Sequence, residues 1–92
     1  MDLSIAVISY NTRDLLLACL QSVCERTSGV NCEVIVVDNA SRDGSVDAVR
    51  ARFPHVTVMA NAGNEGFAKA CNQTAAVSSG RYLLLLNSDT VM

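Results

Sequence analysis

Val34-Ile35-Val36-Val37, followed at once by Asp38-Asn39, is the stretch that decides the fold. Four β-branched residues in a row form a short apolar run with no polar alternation. A strand of that kind is covered on both faces, as in parallel sheets flanked by helices. Working back from it, Leu16, Cys19, Leu20 and Val23 recur at helical spacing between Thr12 and about Arg26, and Leu15 and Cys24 widen the stripe. Asn11 or Thr12 is placed to cap that helix, Asp14 suits the positive end of its dipole, and Ser28-Gly29 stops it. Earlier still, Leu3-Ser4-Ile5-Ala6-Val7-Ile8-Ser9 is a second β-rich run.

Working forward, a polar loop from Asn39 to Gly44 leads into a shorter helix with Val46, Val49 and Phe53 on one face and Pro54 at its end. Val56 to Met59 predicts a third strand, and Asn61-Ala62-Gly63-Asn64-Glu65-Gly66 a loop. A third helix carries Phe67, Cys71, Thr74 and Val77 along one side, with Gly80 as a left-handed stop. Tyr82-Leu83-Leu84-Leu85-Leu86 is the last strand. Strands and helices alternate as βαβαβαβ. The expected architecture is a three-layer α/β fold with a mostly parallel four-stranded sheet, in one domain over residues 1–92. Leu83 to Leu86 reads as a strand covered on both faces, yet little chain follows to cover it. An exposed apolar edge invites association. The pattern therefore fits either the first part of a larger domain or a protomer whose strand 82–86 pairs with a second copy.

Composition narrows the function. Of 92 residues, half are apolar, and seven Lys+Arg against nine Asp+Glu give a formal net charge of −2. No basic surface for nucleic acid is expected from that balance. No apolar run approaches the roughly 20 residues of a membrane span, and no secretory signal is visible, so a cytoplasmic location is expected. Cys19, Cys24, Cys32 and Cys71 form no CxxC pair, and His55 is the only histidine. Reduced thiols are expected rather than a zinc site or a disulfide framework.

In parallel α/β sheets ligands bind at the carboxyl ends of the strands, near the point where strand order reverses. Those ends carry Ser9-Tyr10-Asn11, Asp38-Asn39, Asn61 to Gly66 and Asn87-Ser88-Asp89. Asp38 stands where a dinucleotide-binding unit keeps its ribose acid, but the first turn, Ser9-Tyr10-Asn11-Thr12, has no glycine, which disfavours NAD. A phosphoacceptor site would want acids at the end of the first strand, and Asp2 lies at its beginning.

Four motifs in order, Val7-Ile8-Ser9-Tyr10-Asn11, Val36-Val37-Asp38-Asn39-Ala40-Ser41-Arg42-Asp43-Gly44-Ser45, Asn64-Glu65-Gly66-Phe67-Ala68 with Asn72, and Leu85-Leu86-Asn87-Ser88-Asp89-Thr90, resemble the nucleotide-sugar-binding half of a family-two glycosyltransferase. The fold implied is the Rossmann-like N-terminal half of GT-A, and the branch most resembled is the rhamnosyltransferase-like one. The resemblance implies an inverting transfer from a UDP- or dTDP-sugar donor to a saccharide or lipid-linked acceptor, in a full enzyme that can sit peripherally at the inner membrane face. Ser9, Tyr10, Asn11, Asp38, Asn39, Gly66 and Asn87 would be the nucleotide-binding residues. Tyr10 would stack on the base, Asp38 would accept from its ring N–H, and Gly66 would let the backbone approach the donor. Asn87-Ser88-Asp89 matches the DxD element, and Asp89 would hold Mg²⁺ or Mn²⁺ against the diphosphate. Asn87 replaces the first acid of that element. Cys71 and Thr74 stand where many relatives carry Arg and Gly, and Lys69 is the substitute cation on offer. The family's catalytic base lies beyond the DxD element, so the isolated chain is expected not to catalyse transfer.

Plainer roles compete. Tyr10 can simply cover the sheet end, Asp38 can order a turn, Asp43 can cap the second helix, Asn64 the third, and Gly63 and Gly66 can be turn residues. A self-associating α/β module and a metal-independent nucleotide-binding regulatory domain are the alternative functions.

Overall fold

The computed structural model describes residues 3–63, 66–78 and 80–87, the side chain of Phe67 excepted. Its elements run β1 (Leu3–Ser9), α1 (Arg13–Arg26), β2 (Cys32–Asp38), α2 (Ser45–Arg52), β3 (Thr57–Ala60), α3 (Phe67–Val77) and β4 (Tyr82–Asn87). All four strands are parallel, in the order β3-β2-β1-β4. The expected α/β architecture is therefore present. The chain steps outward from β1 to β2 and β3, then returns across the sheet to the other side of β1. Strand order thus reverses between β1 and β4.

Two apolar layers hold the sheet between helices. On one face, Ile5, Val7, Val34 and Val36 pack with Leu16, Cys19, Leu20 and Val23 of α1 and Val49 of α2. On the other, Ile8, Ile35 and Val37 pack with Ala70 of α3. β1 and β2 are buried on both faces, as their unbroken apolar sequences require.

Several local expectations need correction. β4 is an edge strand rather than a covered one: Tyr82, Leu84 and Leu85 are exposed. Apolarity marked it as a strand but could not fix its place in the order. Leu15 is exposed and does not widen the α1 stripe, and Val77 is likewise exposed on α3, where Ala70 and Thr74 are buried. Gly80 is not a left-handed stop, because α3 ends at Val77 with Ser78 extended. Its need for glycine is one of space. A Cβ there would lie 2.5 Å from both the backbone N and the Oγ of Ser4, and Gly80 N donates to Ser4 Oγ at 2.8 Å.

Thr12 occupies the N-cap position of α1, but its side chain makes no capping bond to the helix amides. Asp43, from the following loop, does that work. Its Oδ2 accepts from Arg13 N at 2.8 Å, while its Oδ1 accepts from Ser45 N at 3.1 Å and from the Ser45 hydroxyl. One carboxylate therefore ties the first turns of α1 and α2 together. The Ser45 hydroxyl, then the backbone amides of Arg13 and Ser45, hold the Asp43 carboxyl below the usual carboxylate range. The expected cap of α2 is present, and the tie to α1 is additional.

All four cysteines are free. Cys24 Sγ lies 3.6 Å from His55 Nε2, and burial, followed by the neighbouring Cys32 and Glu25, pushes its thiol pKa up. Such a thiol stays protonated and unreactive. No helix among the described residues is long and apolar enough to cross a membrane.

Candidate functional site

The strand register fixes which residues share an end of the sheet. Ser9 pairs with Asp38 across β1 and β2, Ile8 with Asn87 across β1 and β4, and Asp38 with Ala60 across β2 and β3. Ser9, Asp38 and Asn87 therefore end their strands along one rim, and Tyr10 and Asn39 follow directly. Tyr10 is 48% exposed, so its ring is free to meet a ligand at the place where strand order reverses. Asn87 is exposed as well. Asn64, Ser88 and Asp89 lie outside the described residues, so the DxD element is described only at its first position.

Asp38 is 2% exposed, and both of its oxygens are engaged by Ser41: Oδ2 accepts from Ser41 N at 2.8 Å and Oδ1 from Ser41 Oγ at 2.6 Å. The acid's own side chain thus folds the chain that follows, bonding the residue three positions on. The turn forces Ala40 to φ +65°, a left-handed conformation that costs a non-glycine residue about 1 kcal/mol or more. Asn11, at φ +50°, holds the equivalent place after Tyr10. Two left-handed non-glycine residues thus flank one rim, which is where strain is commonly retained for binding.

The two loops are stitched together. Asn11 N donates to Ser41 Oγ at 2.8 Å, and Arg42 N donates to Asn11 Oδ1 at 2.7 Å. Asn11 thereby uses its side-chain oxygen to hold the neighbouring loop. Ser9, buried, places its Oγ 3.2 Å from Thr12 Oγ1. A depression of about 450 Å³ opens beside this stitch, lined by Asn11, Thr12, Arg13, Asp14, Leu15 and Asp43. Neither Asp38 nor Asn87 lines it, so it lies next to the rim rather than on it.

A second polar network supports the other side of Asp38. Asn39 is buried, and its Oδ1 accepts from Asn61 Nδ2 at 2.9 Å. Asn61 and Gln73 exchange amide bonds at 3.0 and 3.1 Å, joining the end of β3 to α3. Asn39 Nδ2 reaches Gly66 O at 3.5 Å. Gly66 adopts φ +80°, ψ 166°, a region essentially restricted to glycine, and a Cβ there would meet open space. Its requirement is conformational. Ser41 and Asn61 were named in the sequence analysis only as parts of a motif and a loop, without these bonding roles, and Gln73 was not singled out. The local signals were the position of Ser41 three residues after an Asp and that of Asn61 in a polar loop directly after a strand.

The described residues do not by themselves make a cation site. No three carboxylate, thiol or imidazole side chains among them are placed to hold a metal ion. The amide of Asn87 is a neutral donor, and Cys71 packs against the apolar layer beneath α3.

Similarity to known proteins bears directly on this rim. An uncharacterized glycosyltransferase of Haemophilus influenzae is 42% identical over 87 residues, which cover 95% of this chain and 29% of that protein. S. aureus TarS 1-349, solved in complex with UDP-GlcNAc, superposes with a TM-score of 0.86 at 26% identity, over 97% of this chain and 27% of that one. The mannosyltransferase PcManGT of Pyrobaculum calidifontis, solved with GDP-Man and Mn²⁺, gives a TM-score of 0.79 at 26% identity, over 97% of this chain and 28% of that one. The chain thus spans about three-tenths of the length of the Haemophilus influenzae relative and of TarS 1-349. The pattern of glycosyl transferase family 2 is matched by residues 4–92, a span that contains the whole rim, and the chain belongs to that family.

Proposed function

We propose that this chain binds the nucleotide of a nucleoside-diphosphate sugar and forms the donor side of an inverting glycosyltransferase. The observation that carries the proposal is the shared rim on which β1 ends next to the exposed Tyr10, flanked by the buried carboxylate of Asp38 on β2 and by Asn87 on β4. Among the described residues only Ser41 bonds this buried carboxylate, which leaves it lone pairs for a further donor. The ring N–H of uracil or thymine supplies one, and stacking on Tyr10 adds about 1–3 kcal/mol. UDP- and dTDP-sugars are the donors this selects, the second in keeping with the resemblance to the rhamnosyltransferase-like branch. The mannosyltransferase relative holds GDP-Man, so the base is not uniform among similar structures.

A divalent cation, Mg²⁺ or Mn²⁺, belongs to the same proposal, held by Asp89 with phosphate oxygens of the donor. When bound it would neutralise charge on the departing diphosphate. Saccharide or lipid-linked acceptors, and a cytoplasmic setting at the inner membrane face, complete it. The isolated 92-residue polypeptide is proposed as a donor-binding unit that does not itself turn over.

Equilibrium dialysis of labelled UDP with and without Mn²⁺ tests this, using Asp38→Asn and Asp89→Ala. Loss of a charged acceptor costs about 1.5–3 kcal/mol, at least tenfold in Kd. Binding that ignores Mn²⁺ and Asp89 would instead favour a regulatory nucleotide-binding domain. Multiple turnovers with UDP- or dTDP-sugars would refute the inactivity of the isolated chain.

The exposed apolar edge of β4 favours a second property, pairing of strand 82–86 with the same strand of another copy. Sedimentation equilibrium distinguishes a dimer, dissociated by Leu84→Lys, from a monomer that excludes it.

A further inference from the structure

Ser41 is not among the nucleotide-binding residues proposed above, yet it bonds two of them, Asp38 and Asn11. Its amide and its hydroxyl each donate to one oxygen of Asp38, at 2.8 and 2.6 Å. The same hydroxyl accepts from Asn11 N, the backbone amide immediately after Tyr10, at 2.8 Å. The hydroxyl proton is therefore committed to Asp38, and the chain N–H···O–H···O⁻ runs in one direction, which strengthens each link. The Arg42 amide returns a second tie to Asn11 Oδ1 at 2.7 Å.

From this geometry we infer that Ser41 is a positioning residue that sets base selectivity. It fixes the plane of the Asp38 carboxylate and, through Asn11, the loop that carries Tyr10. The inference rests on the donor-nucleotide proposal and adds to it the residue that makes the acid discriminate. Uracil offers a donor at its ring nitrogen. Cytosine has an acceptor there, but carries an amino donor on the adjacent exocyclic position. A carboxylate held in one plane and aimed at the ring nitrogen accepts from uracil and repels cytosine. A carboxylate free to turn can swing to the cytosine amino group and take either base. Selectivity therefore depends on what holds the acid as much as on the acid itself, because a site rejects an analogue only when its own polar group is left unpaired.

The test uses the 92-residue chain and compares Kd for UDP and CDP by NMR titration in wild type, Ser41→Ala and Ser41→Thr, with circular dichroism confirming the fold. Wild type is expected to prefer UDP by about tenfold or more, the ratio that one charged hydrogen bond supplies. Ser41→Ala should weaken UDP by about tenfold and bring the CDP/UDP ratio to within about twofold of unity, while Ser41→Thr, which keeps the hydroxyl, preserves the preference. Where the alanine variant does not fold, Ser41→Cys substitutes, since its weak donor should lower the ratio in the same direction. Equal weakening of both nucleotides, with the ratio unchanged, would assign Ser41 a purely structural role and overturn the inference while leaving the donor site standing. Failure of wild type to bind UDP at all would overturn the donor site and this inference with it.

Discussion

Replacing Asp43 by alanine should cost far more stability than an accessible loop residue ordinarily does. The carboxylate accepts from Arg13 N at 2.8 Å and from Ser45 N at 3.1 Å, so its loss uncaps the first turns of two helices at once. A lost cap costs about 0.5–2 kcal/mol, and partial exposure places each of these near the middle of that range. The two together give about 2 kcal/mol, which in a domain of this size lowers Tm by about 8–16 °C. Asp43→Asn keeps one acceptor oxygen and should lose about half as much. The pH dependence carries a sign. The folded carboxyl titrates below its unfolded value of about 3.9, so its stabilisation is complete above roughly pH 5 and disappears as pH falls through the folded pKa. Thermal melts of wild type and Asp43→Ala should therefore differ by a constant amount at neutral pH and converge in acid. Equal Tm values at pH 7, or a gap that persists unchanged to pH 2, would refute the double-cap assignment.

Two further substitutions probe the fold. Gly80→Ala should destabilise by about 1–3 kcal/mol in urea denaturation, because the new Cβ meets the Ser4 backbone N at 2.5 Å and the Leu3 carbonyl carbon at 2.7 Å, neither of which can swing aside. Leu16→Ala should cost about 2–5 kcal/mol, since Leu16 is fully buried, whereas Leu15→Ala at the adjacent exposed position should stay within about 0.5 kcal/mol. A comparable loss at both positions would mean that α1 sits in a different rotational register.

What the sequence disclosed and what it withheld divide along a physical line. Val34 to Val37 and the heptad-like spacing of Leu16, Cys19, Leu20 and Val23 are local periodicities, and the corresponding elements appear within a residue or two. The order of strands is not local. Leu83 to Leu86 is as apolar as the buried strands, yet it lies at the edge because α3 carries the chain back across the sheet. The same distinction governs the site. The rim positions of Asp38, Tyr10 and Asn87 were legible because each ends a strand or follows directly on one. The amide pairs of Asn61 with Asn39 and Gln73, and the bond from Gly80 to Ser4, join residues 12 to 76 positions apart and leave no mark on any short window. Asp43 was legible as a cap for its own helix, two residues ahead, and not for the helix 30 residues behind it.

Backbone chemical-shift mapping of the labelled chain during a UDP titration tests the donor site most directly. The expected result is that shifts concentrate on Ser9, Tyr10, Asn11, Asp38, Asn39 and Asn87, extend to Ser41, and grow with Mn²⁺. Shifts confined to the opposite end of the sheet, around Cys24, Cys32 and His55, or none up to millimolar nucleotide, would contradict it.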